Sequence, residues 1–132
     1  MNPPKYQPLS EICKNSWHVV HRVVDSRGTR FLLKTARPGT LVDFASAKLR
    51  REFETLTQVE TPGIPRYLEI HNTPNGCALL LADIDGVSLA EELNKPFSIT
   101  DVLNLAHQLT EVLAKLHRLQ RSGKTCLQPF QA

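Results

Sequence analysis

The stretch RFLLKTARPGTLVDFASAKLRREFETL, Arg30–Leu56, sets the architecture of this chain. It opens on a short apolar run, Phe31-Leu32-Leu33, that ends on a lysine. It then breaks at Pro38-Gly39-Thr40 and continues as an amphipathic segment. The first part reads as a strand, Thr29 to Thr35. The last reads as a helix, roughly Asp43 to Glu60, stopped by Thr61-Pro62-Gly63-Ile64-Pro65 because proline cannot continue a helix. At about 100° per residue, with Leu49 at zero, Ala45, Phe53, Leu56 and Val59 form one apolar stripe. Glu52 falls inside that stripe at about −60°, while Glu54 lies on the water side at about +140°. A carboxylate aimed where apolar residues point needs a cation. Lys34, at the end of the strand this helix should cover, is the candidate; the alternative is that Glu52 lies at the helix margin and bends outward to water.

Tyr6 to Cys13 reads as a first strand. Trp17 to Val24, rich in valine, reads as a second. Asp25-Ser26-Arg27-Gly28 turns it into the third as a hairpin. Arg66 to His71 and Cys77 to Ala82 flank the turn 72–76. Ala78-Leu79-Leu80-Leu81-Ala82 is apolar on both faces, which marks a central strand. Ser88 and Glu91 have capping-box spacing and start a short helix to about Asn94. Ser98 and Asp101 start a longer helix. Its Val102, Leu105, Ala106, Leu109, Val112, Leu113 and Leu116 share a stripe, and the helix runs to about Leu119. The expectation is an α+β fold: a five-stranded antiparallel sheet with one packed helix, followed by a short and a long helix. Residues 1–94 form the sheet domain with a connecting segment and short helix, 95–119 the amphipathic helix, and 120–132 an irregular tail.

The 132 residues, 41% hydrophobic and 22% charged, fit one globular domain. No stretch nears the ~20 apolar residues of a membrane span, and the start Met1-Asn2-Pro3-Pro4-Lys5 lacks a secretory apolar core, so a cytoplasmic location is expected. Cys13, Cys77 and Cys126 are an odd number at wide spacing, which suggests neither a disulfide framework nor a zinc site. The net charge of +3 is dispersed, so no nucleic-acid surface is expected. The acidic residues Asp83, Asp85, Glu91 and Glu92 read as a solvated surface, with a metal-collecting run as the alternative, His107 reads as a partly buried helix residue, and Trp17 as a packing residue. Ser122-Gly123-Lys124-Thr125 is not a P-loop: Arg118 stands where that motif needs its first glycine.

Several segments together resemble the protein-kinase fold over roughly Tyr6 to Arg118. Phe31-Leu32-Leu33-Lys34 is similar to the V-A-I-K strand. Arg51-Glu52-Phe53-Glu54-Thr55-Leu56 with Thr61-Pro62-Gly63-Ile64 resembles the helix that follows it and that helix's exit. Ala78 to Leu89 resembles the strand, hinge and short helix that join the two lobes, and Ala114-Lys115-Leu116-His117-Arg118 the helix leading to the catalytic loop. The likeness is greatest to the serine/threonine-kinase-type domains that open large, mostly cyanobacterial, signalling proteins carrying an ATPase and a histidine kinase. The resemblance implies that Lys34 holds the α- and β-phosphates of ATP and that Glu52 orients Lys34. It implies that Val20 and the residue at position 32 cover the adenine, that Leu81 is the gatekeeper, and that the backbone of Ala82 and Ile84 meets the adenine edge.

Three departures shape the expectation. Cys13-Lys14-Asn15-Ser16-Trp17-His18 replaces the glycine-rich loop and contains no glycine, although that loop works by bare backbone approaching phosphates. Leu32 replaces the family's alanine and should narrow the adenine slot. The tail after Leu119 carries no Asp or Glu to serve as base or to hold Mg²⁺. The chain therefore reads as a truncated kinase-like domain, inactive as it stands, with weak ATP binding and no Mg²⁺ held by this chain alone. The alternative is a pseudokinase-type interaction module in bacterial signalling. It would bind a protein partner or a second copy through the helix Val102–Leu116.

Overall fold

A computed structural model describes residues 5–74 and 76–121. The tail beyond 121, with Cys126 and Ser122-Gly123-Lys124-Thr125, lies outside the described residues. Five strands, β1 (Gln7–Lys14), β2 (His18–Val24), β3 (Arg30–Ala36), β4 (Tyr67–Thr73) and β5 (Gly76–Ala82), form one antiparallel sheet in the order β1-β2-β3-β5-β4. Helix α1 (Val42–Leu56) joins β3 to β4 and covers one face; α2 (Leu89–Glu92) and α3 (Ile99–Arg121) follow. The expected α+β arrangement is the one observed.

Register decides which side chains share the covered face. Val20 pairs with Lys34, Arg22 with Leu32, Leu32 with Leu81, and Lys34 with Leu79. Directly opposed residues project to the same side of a sheet, so these six stand together under α1 and its flank. Leu32, Leu49, Cys77, Leu79 and Leu81 form the buried cluster, with Ile12, Trp17, Val20, Phe53, Tyr67 and Ile70 packed against it. Val19, Val23, Ala78 and Leu80 are buried on the opposite face. There the Tyr6 ring meets Phe31 edge-on at 5.8 Å and His71 at 6.1 Å.

Most boundaries fall within two residues of those expected; α1 is the exception. It ends at Leu56, not near Glu60: the chain turns at Thr57 and buries Val59. A helix extended to Glu60 would carry Val59 round to the margin of the stripe, whereas the turn drives it into the core. The two expected capping boxes also differ. Around α3, Ser98 Oγ accepts from Asp101 N–H at 3.1 Å and Asp101 Oδ2 accepts from Ser98 N–H at 3.3 Å, a reciprocal box. Ser88 has extended N-cap geometry, but its side chain makes no cap bond and α2 spans only four residues. In the hairpin turn, Asp25 Oδ1 accepts from the N–H groups of Arg27 and Thr29, and Gly28 takes φ +83°.

Helix α3 touches the rest of the fold along one edge. Leu105, Val112 and Leu116 are half-buried, whereas Val102, Leu103, Leu109 and Leu113 are exposed. The joint is Gly63, at φ +95°, where an added Cβ would stand 2.4 Å from Val112 Cγ2. Valine has one strongly preferred rotamer in a helix, so it cannot swing clear. Gly63→Ala is therefore expected to lose about 1–3 kcal/mol, combining left-handed strain with the clash. Hydrogen exchange should show the loss as faster exchange in α3, with β5 unaffected; equal acceleration in both would place the joint elsewhere.

Candidate functional site

Lys34 ends the apolar part of β3 and lies under α1. Its Nζ donates to both carboxylate oxygens of Glu52, at 2.9 Å each. The pair is largely shielded, the side chains being 15% and 21% exposed. Tyr67, from β4, donates its hydroxyl to Glu52 Oε1. Burial first, and then the Glu52 carboxylate, push the Tyr67 hydroxyl well above its usual range, so it remains a donor. Glu52 is thus held from two strands, and Lys34 from one helix.

Two ammonium groups lie near one aromatic ring beside this pair. Lys34 Nζ stands 5.8 Å from the Trp17 ring centre, and Lys48 Nζ 5.0 Å from it. The Trp17 ring packs edge-on against His18 at 4.7 Å. Burial, and secondarily the Lys34 charge, hold His18 below the usual histidine range, so it is neutral near pH 7. Trp17 is the packing residue its sequence context suggests.

The β1–β2 connection stands where the resemblance puts a phosphate-cradling loop, and it is closed on itself. Asn15 Oδ1 accepts from the N–H groups of Trp17 and His18, both at 2.9 Å. Asn15 N–H donates to His18 O at 3.0 Å, and Arg37 donates to Asn15 O at 2.8 Å. Two N–H groups that a glycine loop would aim at phosphate are therefore already satisfied within the turn. The nearby positive charge is carried by the Lys34 and Lys48 ammonium groups.

The segment after β5 is clamped to the sheet. Arg22 Nε donates to Asp83 Oδ2 at 2.9 Å, and its Nη2 donates to Asp83 Oδ1 at 3.3 Å and to Gly86 O at 3.0 Å. Arg30 adds Nε at 3.7 Å from Asp83 and a bond to Asp85 Oδ1 at 3.1 Å. Asp85 takes φ +54° and donates its N–H to Asp83 Oδ1. Burial pushes the Asp83 carboxyl up, but the Asp85 N–H and the Arg22 and Arg30 guanidinium groups outweigh it and hold it below the usual range.

Of the residues read from the sequence, Val20, Leu32, Lys34, Glu52 and Leu81 come together on the α1 face. Ala82 donates its N–H to Arg66 O at 2.9 Å, inside the sheet, and the Ile84 side chain is exposed. The side with Lys34 and Lys48 carries two ammonium groups; towards the segment after β5 the same sheet face carries Leu32 and the Arg22–Asp83 pair. Two expectations need correcting. Asp83 is no solvated surface acid: only 7% of its side chain is exposed, because two arginines neutralise it there. His107 is not partly buried but lies on the outer side of α3, with Nε2 3.3 Å from Glu111. Arg22 and Tyr67 went unsuspected. An arginine between two valine pairs in a buried strand was the available signal for the first; nothing local marks the second.

Two open grooves lie away from Lys34. One of about 400 Å³ runs between α2 and α3 past Glu92, Phe97, Asp101 and Gln108, and one of about 480 Å³ between α1 and the β4–β5 turn past Ser46, Arg50 and Gly76. Among the described residues no cluster of three or more His, Cys, Asp or Glu could hold a metal ion, and no helix is long and apolar enough to cross a membrane. Compared with known proteins, the chain matches no protein-family model and no curated protein.

Proposed function

We propose that this is a protein kinase-like nucleotide-binding domain, in which Lys34, oriented by Glu52, holds the phosphates of ATP weakly. The observation that carries the proposal is the shielded Lys34–Glu52–Tyr67 cluster. It fixes one largely shielded ammonium group on the sheet face that carries Val20, Leu32 and Leu81. An oxyanion beside that group would share Lys34 with Glu52, and Lys48 stands on the same Trp17 ring. Binding rather than phosphoryl transfer is proposed, since the site residues include no carboxylate free of a cation to act as base or to hold Mg²⁺.

Titration calorimetry with ATP tests this, with and without Mg²⁺. The expected dissociation constant lies between about 1 µM and 1 mM, with binding abolished by Lys34→Met in a protein that still melts cooperatively. Equal binding by wild type and Lys34→Met would sink the proposal.

A protein-interaction module is the second reading, favoured by the apolar face of α3: Ile99 is 81% exposed, and Leu103, Leu109 and Leu113 are also open to water. Function would then survive Lys34→Met and fail when α3 is altered, the reverse of the first reading.

A further inference from the structure

We propose that Arg22 closes the base side of the cleft, so that the site selects the phosphate chain of its ligand and gains nothing from the adenine. This rests on the phosphate-binding reading of Lys34 above.

A flat base entering the cleft needs a slot against the sheet face that carries Val20, Leu32 and Leu81, bordered by the segment after β5. Register puts Arg22 directly opposite Leu32 on that face, one pair along from Val20 and Lys34. Asp83 lies two residues beyond Leu81, itself the partner of Leu32. The guanidinium thus spans from β2 to the segment after β5, with three hydrogen bonds to Asp83 and Gly86. The Arg22 side chain is 15% exposed and that of Asp83 7%. They occupy volume that a base would need, and the pair cannot part easily. Displacing Arg22 leaves a nearly buried carboxylate with the Asp85 N–H and, as its remaining cation, Arg30, 3.7 Å away and half-exposed. Leu32 narrows the same slot with a branched side chain. At the other end Lys34 and Lys48 stay beside Trp17, unconnected to this clamp. Phosphate entry therefore does not require Arg22 to move, whereas base entry does.

The test compares ATP with inorganic tripolyphosphate by calorimetry on three proteins: wild type, Lys34→Met, and the double variant Arg22→Ala/Asp83→Asn. The double variant removes both charges together, leaving no orphaned buried ion, and the asparagine Oδ1 still accepts the Asp85 N–H. In wild type the two ligands are expected to bind within about twofold of each other. In the double variant ATP should gain about tenfold over tripolyphosphate, with tripolyphosphate itself unchanged. Wild type binding ATP about tenfold or more above tripolyphosphate would overturn the proposal with no variant required. So would a ratio unchanged in a folded double variant, and either result leaves the Lys34 reading intact. Absence of binding by either ligand to wild type and double variant would overturn both readings, and binding undiminished in Lys34→Met would overturn the phosphate reading on which this one stands.

Discussion

Leu79→Ala is expected to destabilise the domain by about 2–5 kcal/mol, the range for truncating a fully buried leucine. Leu79 sits mid-strand on β5, between Lys34 on β3 and Ile70 on β4, and is completely buried beneath α1. Strands on both sides and a helix above prevent collapse into the space left behind, which favours the upper half of that range. The same change at Leu103, exposed on α3, is expected to fall within about 0.5 kcal/mol of wild type. Urea melts monitored by circular dichroism read both. Similar midpoints for the two variants would mean that the helix-on-sheet layer is not the core of this domain.

Glu52→Ala has the second-largest expected effect. It removes the acceptor of two donors at once, the Lys34 ammonium and the Tyr67 hydroxyl, and neither is free to turn fully to water. Breaking a buried pair from one side costs about 3–5 kcal/mol. The residual exposure of this pair screens part of that, so about 2–3 kcal/mol is expected. Glu52→Gln keeps an oxygen for Tyr67 and should lose less, about 1 kcal/mol. Lys34→Met combined with Glu52→Gln removes both charges while keeping an oxygen for the Tyr67 hydroxyl, and should return to within about 1 kcal/mol of wild type, since neutral replacement of a shielded ion pair is often tolerated. A Glu52→Ala loss under about 0.5 kcal/mol would show the pair to be screened like a surface bridge. The double variant also separates stability from binding: it should fold well and bind no phosphate.

Two local regularities point to the Lys34–Glu52 contact, and the likeness of both segments to one fold decides between it and a Glu52 turned to water. Glu52 breaks the apolar stripe of its own helix, and Lys34 breaks the apolar run of its own strand. A buried charge on one element calls for an opposite charge on whatever packs against it, and the chain order β3–α1 makes those two elements neighbours. The Arg22–Asp83 pair obeys the same rule but spans 61 residues. Asp83 stands in a polar run, Asp83-Ile84-Asp85-Gly86, whose composition reads as solvated. Only the strand order β2-β3-β5 brings Arg22 within reach of the segment after β5.

The β1–β2 connection shows the same divide. The missing glycines are plain in the sequence, but that the Asn15 side chain caps the turn and consumes the N–H groups of Trp17 and His18 is a matter of backbone path. On α3, periodicity found one apolar stripe, whereas packing splits it: Leu105, Val112 and Leu116 meet the fold, and Leu109 and Leu113 remain outside. By itself the sequence determined the order of strands and helices, the central place of β5 and the inward lean of Glu52 on its helix, because side-chain periods of two and about 3.6 residues are local properties. Tertiary structure alone decided that Arg22 pairs with Asp83 and which edge of α3 is covered. Those outcomes depend on register and on contacts between distant segments, about which no local period carries information.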